Sequence, residues 1–226
     1  MELLFGTTNP GKLRELRRLV AGLPIRVLSP DELGRPLPEV EEDAATFEEN
    51  AAKKAVEWSR FAGLHAVADD SGLCVDALEG APGVRSARWS EEARPEALPR
   101  ALRDEVNNDL LLSRLAGRPE PERGAEYRAA LVLAAPDGGV IAVVRGSCRG
   151  QIALARRGAG GFGYDPLFLP SDQPAPDPGG VARPPLSMAE LTPEAKDAIS
   201  HRGAAFRLLL PYLARLAALD EPGGRD

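Results

Sequence analysis

Apolar residues fall along this chain in two rhythms, short unbroken runs and a helical spacing, with glycine- and proline-rich stretches between them. Residues 2–6 are a short apolar run and predict a first strand. Leu13, Leu16, Leu19 and Val20 then recur among Arg14, Glu15, Arg17 and Arg18, which predicts an amphipathic helix. Residues 25–28 predict a second strand. Residues 29–45 predict a polar, proline-rich loop carrying Glu39, Glu41, Glu42 and Asp43, a cluster whose default is solvation. Thr46, with Glu49 three residues on, predicts a capped helix. Its broad apolar side is Ala51, Ala52, Ala55, Val56, Trp58 and Ala62, and Lys54 lies near one end. Residues 66–68 read as the end of a buried strand, Asp69-Asp70-Ser71-Gly72 as a sharp turn, and residues 73–78 as another strand.

Residues 80–88 form a compact Gly/Pro loop that ends with Arg85 and Arg88. A long helix is predicted over 95–116 on Ala97, Leu98, Ala101, Leu102, Val106, Leu110, Leu111 and Leu115, stopped by Gly117-Arg118-Pro119. Apolar runs at 127–135 and 140–148, separated by Pro136-Asp137-Gly138-Gly139, predict a hairpin, with 151–155 as its extension. A short strand is expected at 167–169 and an irregular loop at 170–187, which holds six prolines. Thr192 with Pro193 opens a short helix. A final helix starts near Ser200-His201, is expected to kink near Pro211, and runs to 219, leaving 220–226 as a tail.

Composition narrows the class. At 226 residues, with a net charge of −6 and 43% hydrophobic residues, the chain fits a globular protein with a sizeable core. No apolar run reaches the roughly 18 residues of a membrane span, and the first residues show no secretory pattern. Cys74 and Cys148 lack metal or redox spacing and read as buried thiols, compatible with a reducing cytosol. Only Lys12, Lys53, Lys54 and Lys196 are lysines among 28 basic residues, so each is a mild pointer to a site where an ammonium is wanted, with chance survival of a surface lysine as the competing reading.

Candidate chemistry lies in four places. Adjacent carboxylates at Asp69 and Asp70 are costly unless a cation is close, and a hard dication such as Mg2+ suits them; a solvated turn is the competing reading. Thr7-Thr8-Asn9-Pro10-Gly11-Lys12 joins a strand to a helix and can aim N–H groups, two hydroxyls and an ammonium at an anion, although it lacks the Walker spacing; a plain helix cap by Thr8 or Asn9 is the alternative. Residues 158–166 interleave Phe162 and Tyr164 with glycines and end on Asp165, a frame for stacking a nucleobase or for plugging a core. His201-Arg202 opens the last helix. Together these suit a nucleotide with its phosphates and Mg2+.

The blocks Thr7-Thr8-Asn9-Pro10-Gly11-Lys12, Thr46-Phe47-Glu48-Glu49-Asn50-Ala51, Asp69-Asp70-Ser71-Gly72-Leu73, Gly80-Ala81-Pro82-Gly83-Val84, Gly161-Phe162-Gly163-Tyr164-Asp165-Pro166 and Ser200-His201-Arg202-Gly203 occur in this order. In them the chain resembles the inosine/xanthosine triphosphate pyrophosphatases over residues 2 to 216. The resemblance implies an α/β fold, ITPase-like and Maf-like: an elongated mixed β-sheet flanked by helices, in two lobes with a central substrate cleft. It implies one such domain over 1–219, a homodimer, a cytoplasmic location, and no nucleic-acid or membrane partner. The implied reaction cleaves ITP, dITP or XTP between the α and β phosphates. This gives the monophosphate and pyrophosphate and keeps deaminated purines out of nucleic acid.

By the same resemblance, Asp70 matches the catalytic carboxylate and a ligand of Mg2+, and Glu41 matches a second metal ligand. Asp69 either shares the metal or is itself the base; sequence does not separate the two. Substrate contacts match Thr7, Thr8, Asn9, Pro10, Gly11, Lys12, Lys54, Ser71, Phe162, Gly163, Tyr164, Asp165, Lys196, His201 and Arg202. A donor from His201, Arg202 or the backbone would favour the 6-oxo group of hypoxanthine or xanthine over the amino group of adenine, and steric exclusion of the 2-amino group would reject guanine. The Pro/Gly loop at 171–187 departs from the family: it is long and lacks a lysine often found there. A non-catalytic nucleotide-binding protein is the rival from another class, which the full acidic set Glu41, Asp69 and Asp70 disfavours. A pyrophosphatase for methylated or pyrimidine nucleotides is the rival enzyme, which Ser200-His201-Arg202 disfavours.

Overall fold

The computed structural model describes residues 1–92, 99–173 and 184–220. Six strands form one mixed sheet in the order β2-β1-β3-β4-β5-β6. They are β1 (Glu2–Phe5), β2 (Arg26–Leu28), β3 (His65–Val75), β4 (Gly124–Ala134), β5 (Val140–Ile152) and β6 (Phe168–Pro170). Strand β1 runs parallel to both β2 and β3, with Leu3 opposite Val27 and His65. Strands β5 and β6 are antiparallel, with Gln151 opposite Leu169. The helices are α1 (Pro10–Leu19), α2 (Phe47–Ala62), α3 (Arg100–Arg114), α4 (Pro193–Ile199) and α5 (His201–Leu219).

The chain forms two compact units. The first contains Met1–Asp70, Ala129–Gly146 and the chain from Arg202 onward. Successive side chains of a strand point to opposite faces of the sheet, and this unit uses both. Val67, Leu131 and Leu133 join Leu16 and Val20 of α1 and Phe206 and Leu209 of α5 in one cluster. Ala68, Ala130, Val132 and Ala134, the alternate residues, join Ala51 and Ala55 of α2 in another. So α1 and α5 cover one face and α2 the other. Phe5 and Phe206 meet edge to face at 6.0 Å in the larger cluster, a contact worth about 0.5–1.5 kcal/mol beyond its buried area. Small alanines on the α2 side let that helix approach closely. Gly6 serves the same end, since the Trp58 ring occupies the space that a Cβ there would fill.

The second unit contains Ser71–Arg128 and Ser147–His201. Its core is Leu73, Val75, Trp89, Leu111, Leu115, Tyr127, Ile152, Leu167 and Phe168 among others. Arg123, 3% exposed, fastens it by donating to the carbonyls of Leu115, Ile152 and Ala153.

Most expected elements are present, with the hairpin turn closed by Ala135 N–H to the Gly139 carbonyl at 2.8 Å. Strand β5 extends to Ile152, and the last helix continues through Pro211. Expectations are overturned around β3, where residues 76–78, expected in a strand, form a 3-10 helix. Asp69-Asp70-Ser71-Gly72 is no turn; β3 runs unbroken from His65 to Val75. Gly72 and the Asp-Asp-Ser composition point to a turn, but Lys12, Lys54 and Arg202 supply the positive charge that lets the two carboxylates lie in a strand. Lys54 is also placed differently, at mid-helix in α2. In α3, Leu102 is half exposed, while Asn107 and Asn108 are buried with Leu111 and Leu115. The expected helix at 95–98, the departing residues at 174–183 and the tail at 221–226 fall outside the described residues.

Candidate active site

Strand alternation sends the two adjacent carboxylates to opposite faces. Asp69 follows Val67 to the α1/α5 side, and Asp70 follows Ala68 to the α2 side. They do not sit side by side, and each meets its own partners.

Asp69 is saturated with cations. Its Oδ1 accepts from Lys12 Nζ at 2.7 Å and its Oδ2 from Arg202 Nε at 3.1 Å. Arg202 in turn donates through Nη1 to Glu15 Oε2 at 2.5 Å. Burial pushes the Asp69 carboxyl upward, but Lys12, Arg202 and Lys54 outweigh it and hold the group well below the usual carboxylate range. Glu15 and Asp69 together push the Arg202 guanidinium further up, against its burial. The result is a buried chain of alternating charge, Glu15–Arg202–Asp69–Lys12, that ends at the loop over residues 7–12.

Asp70 has a different environment. Asn50, fully buried on α2, donates to its Oδ2 at 3.2 Å, and Lys54 Nζ lies 3.4 Å from Oδ1. Lys54 is shared, since it also donates to the Asp69 carbonyl at 2.9 Å and to Glu42 Oε1 at 3.1 Å. Burial raises the Asp70 carboxyl, Lys54 opposes this, and the charge of Glu42 adds to the rise; the net shift is upward. Asp70 therefore binds a proton more readily than an ordinary aspartate, which suits a general base.

In the loop at residues 7–12, Asn9 caps α1 by accepting from Gly11 N–H at 2.9 Å, with Pro10 at the first helical position. Asn9 N–H donates to Thr7 Oγ1 at 3.1 Å. So Asn9 is the cap that sequence offered as an alternative to an anion site. Its Nδ2 remains a buried donor with no acceptor among the described residues, in a setting where a phosphate oxygen would satisfy it.

The second unit brings another predicted set together. Asp165 Oδ2 accepts from Lys196 Nζ at 2.7 Å and from Phe162 N–H at 2.8 Å. Lys196 lies over the Phe162 ring at 4.6 Å. Gly161, at φ +74°, leaves the space that the Asp165 carboxylate fills. Tyr164 is 3% exposed, and its hydroxyl donates to the Ser86 carbonyl at 3.0 Å. It is the core plug, and Phe162 is the half-buried aromatic. His201 is buried with its ring stacked on Tyr127 at 4.6 Å, and Ser71 is half-buried on β3.

For a metal, the donor set on the α2 face has the chemistry of a hard dication: carboxylate oxygens of Asp70 and Glu42 share one ammonium, and the charge of Glu42 helps raise Asp70. Glu41 is exposed, and Lys53 is a cation that feels its charge. Of the two adjacent glutamates, it is Glu42 that reaches the Lys54–Asp70 group. No cluster of three or more carboxylate, His or Cys ligands is preassembled among the described residues.

Sequence reasoning passed over Glu15, Glu42 and Asn50 as site residues. Glu15 carried a usable signal: it lies three residues after Lys12, on the same side of a helix otherwise rich in arginine. Asn50 lies in the quoted Thr46–Ala51 block, but only the packing of α2 on β3 shows that it faces Asp70.

These features define an α/β protein with a buried network of carboxylates, ammoniums and a guanidinium around its parallel strand β3. The chain belongs to the Ham1 family, whose model matches residues 3–212. It is 61% identical to the dITP/XTP pyrophosphatase of Anaeromyxobacter dehalogenans (strain 2CP-C), over 96% of this chain and 99% of that protein. It is 47% identical to the protein of the same name from Geobacter sulfurreducens, over 93% and 96%. Among solved structures, a HAM1 protein from Coxiella burnetii aligns with a TM-score of 0.76 at 33% identity, covering 95% of this chain and 99% of that one.

Proposed function

We propose that this protein is a nucleoside triphosphate pyrophosphohydrolase acting on ITP, dITP and XTP, and that it works as a metal-dependent homodimer. The observation that carries the reading is the inequality of the two carboxylates on β3. Asp69 is locked by Lys12 and Arg202, whereas Asp70 is buried, raised and held by the orienting amide of Asn50. The family membership and the names of its relatives support the same reaction.

In this reading the loop at 7–12, Lys12 and Lys54 bind the triphosphate, and Asn9 Nδ2 gives its free N–H to a phosphate oxygen. Asp70 orients a water toward the α-phosphorus and takes its proton as the new P–O bond forms. The bond from the α-phosphorus to the bridging oxygen breaks, and pyrophosphate leaves with that electron pair. Mg2+, held by Asp70 with Glu41 and Glu42, would neutralise phosphate charge. Phe162 offers its face to the base, with Lys196, Asp165 and His201 as polar neighbours and Ser71 and Gly163 as further contacts. Arg202 gives Nε to Asp69 and Nη1 to Glu15 and so places Asp69, and His201, a further N–H of Arg202 or a backbone N–H supplies the donor to the 6-oxo group.

The test is pyrophosphate release from ITP, XTP, dITP, GTP and ATP with Mg2+ or EDTA, for wild type and Asp70→Asn. Metal-dependent turnover of the first three, lost in the variant, is expected. Binding without turnover by wild type would leave a nucleotide-binding protein, and comparable rates on GTP and ITP would remove the steric account of guanine rejection.

A further inference from the structure

Helix α3 carries a run of polar side chains where its apolar face should continue. Asp104, Asn107 and Asn108 are spaced i, i+3, i+4 and share one side of the helix. Asn107 is 2% and Asn108 3% exposed, burial that costs free energy unless each amide is hydrogen-bonded. Their bonds go mainly to backbone outside the helix. Asp104 Oδ2 accepts from Gly163 N–H at 2.9 Å, and Asn108 Nδ2 donates to the Gly163 carbonyl at 2.8 Å. One residue of the aromatic–glycine loop, in the left-handed region at φ +63°, is thus held by both of its backbone polar groups. Asn107 Nδ2 donates to the Ser86 carbonyl at 3.2 Å, the same oxygen that takes the Tyr164 hydroxyl at 3.0 Å, and Asn107 Oδ1 accepts from Ser90 N–H at 2.7 Å.

This grip has a cost that points to its purpose. Asn108 Nδ2 makes a second bond, to the Asp104 carbonyl at 2.7 Å, but Oδ1 is buried with no partner among the described residues. A leucine in place of Asn108 would extend the apolar stripe and remove the orphan Oδ1, at the cost of the donor to the Gly163 carbonyl. The asparagine suits the position only because its two N–H groups are in use, one of them on Gly163. The residues on either side of Gly163 differ in what they need. Tyr164 is plugged into the core, whereas Phe162 keeps its ring half-buried under Lys196, with its N–H held by Asp165. The loop is therefore pinned through Asp165 before Gly163 and through α3 at Gly163.

We propose that Asp104 and Asn108 are positioning residues for base recognition: by clamping the Gly163 peptide they fix the plane of the Phe162 ring on which a purine stacks. The proposal rests on the nucleotide reading above. It adds that selectivity for the base is set in part by a helix that touches no substrate atom. Loosening the clamp should weaken binding of the base and leave binding of the phosphates, which belongs to the first unit, unchanged.

The experiment measures KM and kcat for ITP, and the inhibition constant of inorganic tripolyphosphate, which has phosphates and no base. The variants are Asn108→Ala, Asp104→Ala and Asp104→Asn. Losing one hydrogen bond to Gly163 is expected to raise KM for ITP about fivefold. The expected kcat stays within about twofold of wild type, and tripolyphosphate inhibition does not change. Asp104→Asn keeps an acceptor for Gly163 N–H and should restore KM to near the wild-type value. If Asn108→Ala does not fold, the Asp104 pair gives the same readout. An unchanged KM in the alanine variants, or a parallel loss of ITP and tripolyphosphate affinity, would overturn the proposal. Failure of the nucleotide reading looks different: wild type itself would release no pyrophosphate from ITP.

Discussion

Asparagine at position 69 and asparagine at position 70 should move stability in opposite directions, although the two carboxylates are neighbours in sequence. Asp69→Asn leaves Lys12 and Arg202, both packed against β3, without their shared counter-charge. Removing one partner of a buried ion pair costs about 3–5 kcal/mol. For a chain of this size each kcal/mol shifts the melting temperature by about 2–4 °C, so a fall of about 6–20 °C is expected. Asp70→Asn removes a charge that burial and Glu42 already disfavour, and Lys54 keeps Glu42 and the Asp69 carbonyl as partners. Its melting temperature should equal or exceed that of wild type while turnover is lost.

Linkage gives the pH dependence. The depressed Asp69 stabilises the fold above its unfolded pKa of about 3.9, and this is lost as pH falls through its lower folded value. The gap between wild type and Asp69→Asn should thus persist down to about pH 4 and close only below it. The raised Asp70 costs stability while ionised, and that cost disappears as pH falls through its folded value, so the gap to Asp70→Asn should close at higher pH than the other. Melts followed by circular dichroism from neutral to acid pH report both. The reasoning is refuted if Asp69→Asn melts within about 2 °C of wild type, or if Asp70→Asn is the less stable of the two.

Two further expectations are quick to check. In the metal-free protein the Asp70 carboxyl should titrate above the ordinary aspartate value of about 3.9, because burial raises it; a carbon-13 NMR titration in EDTA that places it at or below that value would refute the raised carboxylate. Tyr164→Phe should cost about 1 kcal/mol in denaturant unfolding, from the lost bond to the Ser86 carbonyl, and leave KM for ITP unchanged; a marked rise in KM would return Tyr164 to the role of a direct contact.

The elements that positioned themselves by local pattern were legible in the sequence. Thr46 and Thr192 cap the helices they were expected to cap, and the 135–139 turn closes its hairpin. The Asp69-Asp70-Ser71-Gly72 block was legible as a motif, but its geometry was not. Two acidic residues followed by serine and glycine have the composition of a turn, and only tertiary ion pairs from Lys12, Lys54 and Arg202 make a strand there affordable. The polar side of α3 was invisible for a related reason. Helical periodicity marks apolar stripes, and Asn107 and Asn108 interrupt one in order to hold backbone that is distant in sequence.

The one-residue offset between Asp69 and Asp70 sends their side chains into two electrostatic circuits that meet at Lys54, whose ammonium donates to the Asp69 carbonyl and lies beside the Asp70 carboxylate. On one side a chain of charges from Glu15 to Lys12 braces the fold; on the other, burial and Glu42 leave Asp70 with a raised affinity for a proton. Changes to Glu42 or Asn50 therefore act first on Asp70, whereas a change to Lys54 reaches both carboxylates. The converse is a sharp vulnerability: inserting or deleting a single residue between His65 and Asp69 would exchange the two faces, turning Asp69 toward α2 and placing Asp70 among Lys12, Arg202 and Glu15.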